Sequence, residues 1–153
     1  MDYSTLDDMK TSLPEAAIIQ LTDDENLEPT VIDPDDEDCT AIIARIDEAI
    51  AAADAEIDTY CAMRYSTPFA TVPLPIKKLS VDIAVYNLYK RKVETIPEAK
   101  KDSYSNAIRM LKDISAGKAS LAVGGVEAAA VESQESTITA ADRIFTRGKM
   151  KGF

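Results

Sequence analysis

From Thr40 to Met63 the apolar side chains Ile43, Ile46, Ile50, Ala53, Ile57 and Tyr60 recur at steps of three and four. That period belongs to an α-helix with one buried face. Thr40 can cap its start. The run Ala51-Ala52-Ala53, with Ala49 and Ala55 beside it, lets a neighbouring helix approach closely. Arg45, Asp47, Glu48, Asp54 and Asp58 fall largely off the stripe, and helix propensity is good throughout, so the spacing predicts a long, straight element.

Helices are also expected on either side. Residues 4–12 form a short one, capped by Ser4 or Thr5, with Asp7 and Asp8 in the first turn where the helix dipole favours anions. Pro14 suits the first turn of a second, whose apolar residues are Ala17, Ile18 and Leu21. Residues 76–93 carry two stripes, one of Leu79, Ile83, Tyr86 and Val93, the other of Val81, Val85, Leu88 and Tyr89. Two apolar faces mean burial on both sides: a central core helix, or a helix shared between the core and a subunit interface. Over residues 97–116 a further helix opens with Pro97 and Glu98, lines one face with Tyr104, Ile108, Leu111 and Ile114 or Ser115, and stops at Gly117. Lys100, Lys101, Arg109 and Lys112 make its outer face basic.

Prolines divide these helices. Pro68, Pro73 and Pro75 hold residues 64–75 extended, and Tyr65, Phe69, Val72 and Leu74 give that loop something to pack with. Residues 22–38 hold nine Asp or Glu and are broken by Pro29 and Pro34. The string DPDDED has the outline of a calcium loop but lacks its turn glycine and a closing glutamate, so a solvated acidic loop over 22–39 is the better reading and no metal is expected. After residue 117 the composition shifts to small residues with Ser, Thr and Gly. Leu121, Val123, Val126 and Val131 can make short strands but not a separate core. The end of the chain is basic with two aromatics, Phe145 and Phe153, which suits an extended docking tail; the plainer alternative is a solubilising end.

The expected fold is therefore all-α: a small antiparallel bundle of four to five helices over residues 1–117, with the acidic loop 22–39 and an extended tail over 118–153, possible short strands included. A length of 153 residues suits one such domain. Charge is unevenly spread along it. Residues 1–63 carry 18 acidic and 2 basic side chains, a balance of −16, whereas residues 64–153 carry 9 acidic and 15 basic, a balance of +6. This polarity suits head-to-tail packing of copies and docking onto other proteins, and argues against a dedicated DNA binder, which needs a concentrated positive footprint.

Chemistry is not expected. Histidine is absent, and no nucleophile elbow, phosphate-binding loop or dinucleotide-binding glycine pattern occurs. The carboxylates crowd into a polar loop where nothing would raise a pKa. No catalytic residue, cofactor or metal site is assigned. Cys39 and Cys61 read as a loop thiol and a helix-face apolar residue of a reducing compartment. With no run of 18 apolar residues and an acidic start unlike a signal peptide, the chain is expected to stay in the cytosol and off the membrane.

The order of these elements resembles the small neck protein family of Mu-like phages and prophages, related in architecture to the head–tail connectors, or adaptors, of long-tailed phages. The residues that carry the likeness are Tyr3-Ser4-Thr5-Leu6-Asp7-Asp8-Met9, Ile19-Gln20-Leu21-Thr22-Asp23, and Ala53 to Tyr60. They continue with Arg64-Tyr65 and the proline loop, Asp82-Ile83-Ala84 with Tyr86 and Tyr89, Gly117 to Leu121, and Phe145-Thr146-Arg147. The resemblance implies a virion neck component, assembled in the host bacterial cytoplasm as a twelve-membered homo-oligomeric ring beneath the portal protein. The ring would extend the DNA channel without binding DNA specifically, and would receive a stopper or tail-completion protein. In that setting Val81, Val85, Leu88 and Tyr89 are expected at the subunit interface. Asp54 and Asp58 are expected to face the channel, and Arg143, Phe145, Arg147 and Phe153 to dock on the portal. Two rivals remain: a small acidic helical regulator or DNA mimic, and another neck component such as a stopper or tail-end protein.

Overall fold

The computed structural model describes residues 2–92 and 95–121. Among these the fold is all-α, with five helices: α1 (Leu6–Ser12), α2 (Glu15–Thr22), α3 (Thr40–Cys61), α4 (Leu74–Lys92) and α5 (Glu98–Ser115). A single 3₁₀ turn, Glu37–Cys39, precedes α3. No described helix is long and apolar enough to cross a membrane.

Helix starts follow local chemistry. Thr5 and Asp8 form a reciprocal capping box on α1, with the Asp8 carboxylate accepting the Thr5 N–H at 3.0 Å. Pro14 and Pro97 set the entries to α2 and α5 without a side-chain cap. Thr40 does not cap α3, contrary to the sequence reading. The 3₁₀ turn runs straight into the helix, Cys39 already has helical dihedrals, and Thr40 is the first helical residue. Cys39 is accordingly fully buried rather than a loop thiol; Cys61 is buried on α3 as expected, and both are free.

Helix α4 is the centre of the bundle, touching α1, α2, α3 and α5. Its Ile76, Leu79, Ile83, Ala84, Val85 and Leu88 are all buried, and Ser80 is enclosed with them. Opposite them α3 presents Ile42, Ile46, Ile50, Ala53 and Ile57, with Ile43 and Tyr60 half-buried at the edge. The face of α5 is Ala107, Leu111 and Ile114. The proline loop closes one end through Phe69, whose ring lies 5.6 Å from Tyr3 and 6.0 Å from Tyr65.

Gly117 ends α5 as the sequence predicts. At φ +74° it hands the Lys118 N–H to Asp113 O at 2.8 Å and its own N–H to Ile114 O at 3.0 Å, a Schellman closure. A Cβ here would also lie 1.9 Å from Arg64 Nη1. Gly117→Ala is expected to cost about 1–2 kcal/mol for the left-handed backbone, with Arg64 displaced; an unchanged urea midpoint would refute it. The ordered unit continues past Gly117: Leu121 is buried and its N–H donates to Tyr65 Oη at 2.8 Å. The strands considered at Val123, Val126 and Val131 lie outside the described residues, as does Val93.

Candidate interaction surfaces

The N-terminal segment of the chain, residues 3–5, is latched into the bundle by a buried polar network. Tyr3 donates its N–H to Asp54 Oδ2 at 2.8 Å, and its hydroxyl donates to Asp58 while accepting the Phe69 N–H at 3.1 Å. Ser80 of α4 donates to Asp54 Oδ1 at 2.6 Å, which leaves Ser4 to donate to Ser80 at 2.7 Å. Every buried side-chain polar atom among the described residues has a partner. Burial raises the Asp54 carboxyl above its ordinary value, against the lowering effect of its bonds from Ser80 and Tyr3. It pushes the Tyr3 phenol well up too, aided by the bond to Asp58.

This geometry corrects the channel-facing assignment. Asp54 is only 8% exposed, at a register between Ile50 and Ile57 that faces the core, and both its oxygens are committed inward. Asp58 is half-buried and bound to Tyr3. Neither presents a free charge to a channel.

The interface stripe on α4 is corrected in the same way. Val85 and Leu88 are each 1% exposed and Val81 is 8% exposed, all within the core of this one chain. Their second face is covered by the chain's own helices, so they have almost no surface left for a sister copy. Tyr89 is half-buried at the core's edge.

The acidic segment divides into two parts. Asp23, Asp24 and Glu25 follow the C-terminus of α2, and cations from α3 and α4 meet them there. Arg45 pairs with Glu25 at 2.5 Å and Asp24 at 3.3 Å; Arg91 and Lys92 reach Asp24 at 2.6 and 3.4 Å. The same cations bind the last carbonyls of the helix end: Arg45 to Thr22 O at 2.8 Å, Arg91 to Leu21 O at 2.7 Å, and Lys92 to Asp23 O. The free carbonyls and negative dipole end of α2 are thereby satisfied. Asp23 is buried and accepts the Leu27 and Glu28 N–H groups, fixing a loop in which Asn26 and Glu28 have positive φ. Sequence reasoning read all of 22–39 as solvated and missed this clip, because Asp24 and Arg91 are 67 residues apart.

The second part is open. Asp33, Asp35, Asp36, Glu37 and Asp38 are exposed, and among the described residues no cation lies at ion-pair distance from them or from Glu28. Leu27 and Val31, 46% and 57% exposed, stand on the same loop.

The clip gives a pH signature. The Arg91 guanidinium, with Lys92 and Arg45, holds the Asp24 carboxyl down at about 2. A lowered folded-state value favours the fold above about 3.8, and that contribution is lost as pH falls towards 2. Wild type should therefore lose stability faster than Asp24→Asn between these pH values, and molar salt should shrink the difference, since the pairs are exposed. Parallel acid-denaturation curves would count against the clip.

On the far side, Tyr86 and Tyr104 stack with centroids 4.1 Å apart, and Tyr104 donates to Glu56 at 3.1 Å. Burial and the Glu56 charge push the Tyr104 phenol up to about 12. A cleft of about 490 Å³ between α4 and α5 is lined by Leu74, Pro75, Leu79, Ala107 and Met110. Arg143, Phe145, Arg147 and Phe153 lie outside the described residues.

Two comparisons bear on what these surfaces serve. The sequence pattern of the family described as Bacteriophage Mu, Gp36, matches residues 3–140. The Mu-like prophage FluMu protein gp36 of Haemophilus influenzae is 29% identical over 110 residues, which is 72% of this chain and 76% of that relative.

Proposed function

The chain belongs to the bacteriophage Mu Gp36 family and is a phage protein; from this premise we propose that it is a structural head–tail connector, or adaptor, subunit of the neck. Copies form a twelve-membered ring beneath the portal protein, continue the DNA channel, and offer a face to a stopper or tail-completion protein. It acts by assembly, not by catalysis.

The observation that carries this reading is the distribution of charge around a self-sufficient helical unit. One exposed loop holds five carboxylates over residues 33–38, and the chain ends in the basic segment 143–153. Surfaces of opposite sign on one chain support repeated heterologous contacts that can close into a ring. The perturbed groups support a structural role as well: Asp54 and Tyr3 latch the N-terminus, and Asp24 clips α2 to α3 and α4. If negative charge lines the channel, so that passing DNA does not stick, it comes from the exposed 33–38 loop rather than from Asp54 and Asp58.

The deciding experiment is co-assembly with the cognate portal, followed by averaged images of the particle. The expected result is a ring of this chain on the portal's outward face. A chain that stays single in portal mixtures and in the finished virion would overturn the proposal.

A further inference from the structure

We propose that the cleft between the start of α4 and the later turns of α5 receives, from a second copy, the loop that carries Leu27 and Val31. The contact joins two unlike ends of the bundle, head to tail. It rests on the reading that copies of this chain assemble, and it assigns the surfaces that join them.

The receiving end is apolar and basic. Five large apolar side chains are exposed among the described residues, and three of them, Met63, Leu74 and Met110, stand at the end of the bundle where α3 stops and α4 begins. Leu74 opens α4 and is 80% exposed; with Met110 it walls the cleft of about 490 Å³, which Leu79 and Ala107 also line. Met63 lies two residues beyond α3, and its sulfur accepts the Ser115 hydroxyl of α5 at 3.5 Å. Exposed apolar side chains grouped around a concave surface, rather than scattered singly, mark a contact site. The surrounding charge is positive. Asp8 and Asp82 are already paired with Lys77 and Lys78. Arg64, Arg109, Lys112 and Lys118 have no carboxylate at ion-pair distance among the described residues, and Asp113 adds one half-buried carboxylate.

The entering end is apolar and acidic. The other two exposed apolar side chains, Leu27 and Val31, lie where α4 stops and α3 begins. Leu27 donates its N–H to Asp23, whose carbonyl is bound by Lys92, the last residue of α4. The Val31 carbonyl accepts the thiol of Cys39, one residue before α3. The 19 residues of α4 set its two ends about 28 Å apart. The loop is pinned by Asp23 at Leu27 and Glu28 and by Glu15 at Ile32, so it cannot reach the cleft of its own chain. Arg45, Arg91 and Lys92 are taken up by the clip at the end of α2, and the carboxylates that follow Val31 are left without a cation. The exposed apolar side chains thus divide between two ends, each set in charge of opposite sign. Apolar centres with polar rims of complementary charge are what a specific contact requires. Two different patches on one chain make that contact heterologous, the kind that closes into a ring.

The test is zero-length carbodiimide cross-linking of the full chain at low salt, alone and with portal, from equal parts of isotopically light and heavy protein. Mass spectrometry then locates bonds between Lys78 or Lys112 and the carboxylates of residues 33–38. The link from Lys78 to Asp82, 2.6 Å apart within each chain, calibrates the yield. Mixed light–heavy links are expected. They should fall on the order of tenfold in Leu74→Ser/Met110→Ser, and equally in Leu27→Ser/Val31→Ser. All four side chains are exposed, so both variants should keep the wild-type thermal midpoint. Links that persist undiminished in both variants would reduce the contact to charge and remove the cleft from it. Links from Lys78 or Lys112 to Asp82 or Asp113 of a second copy would mean that like ends meet, and links from the loop only to portal would make the portal its partner. Each of these results, or no mixed link at all, overturns the proposal. A ring imaged on the portal without these links would sink this contact and spare the neck reading. Mixed links with no ring would do the reverse.

Discussion

Asp54→Ala is expected to destabilise the fold by about 2–4 kcal/mol, because it strands the Tyr3 N–H in the core and removes the acceptor of Ser80. The loss is larger than a surface substitution could give, since Tyr3, Ser4 and Ser80 are themselves almost wholly buried. Freed from Asp54, residues 2–5 should open first, and with them the Tyr3 contact to Phe69 that closes the proline loop. Urea unfolding measures the loss, and exchange of the Tyr3 amide measures the local opening. A variant with wild-type stability and a protected Tyr3 amide would show that the latch does not hold the N-terminus.

The companion Asp54→Asn separates shape from charge. Its Oδ1 can accept the Tyr3 N–H and its Nδ2 can donate to Ser80, which then turns its own hydrogen to Ser4. The network survives while the desolvated charge is gone. The direction with pH follows from the raised Asp54 value. The folded state binds this proton more readily than the unfolded state, so the contribution is fully present below the unfolded value of about 3.8 and is lost as pH rises through the folded one. Asp54→Asn should therefore match or exceed wild type at neutral pH, and the advantage should vanish on acidification. This runs opposite to Asp24, whose contribution disappears as acid is added.

The contrast between these two aspartates marks how far the sequence could be read. All five helices are legible because periodicity, prolines and Gly117 act over a few residues. Asp54 was misread as off the apolar stripe, although its register three residues before Ile57 and four after Ile50 places it on the buried face. What no local rule could supply was its partner Tyr3, 51 residues away. The same distance problem hid Arg45 and Arg91 at the end of α2. No local pattern marks Arg91 and Lys92 as ion-pair partners, and their carboxylate, Asp24, sits in a loop that composition alone marks as solvated. The opening Tyr3-Ser4-Thr5 and the later Asp54 to Tyr60, which carry part of the family likeness, are joined in three dimensions by this network.

Leu88→Ala decides between the two readings that a helix with two apolar faces allows. The stripes of α4 state that both faces are covered but not by whom, and a seam between copies would look the same in sequence as a second wall of one core. In the fold Leu88 is covered by its own chain. Removing its branched end should therefore cost about 2–5 kcal/mol, the span seen for fully buried leucine truncations. The loss should appear in dilute protein, where copies are apart, and should not depend on protein concentration. A seam residue would behave otherwise: the isolated chain would unfold like wild type, and only an assembly measured at high concentration would weaken. Tyr89→Ala, at the half-buried edge, serves as the control with a smaller loss. If dilute Leu88→Ala unfolds at the wild-type urea midpoint, α4 is not the internal axis of the bundle, and contacts between copies must be sought on it.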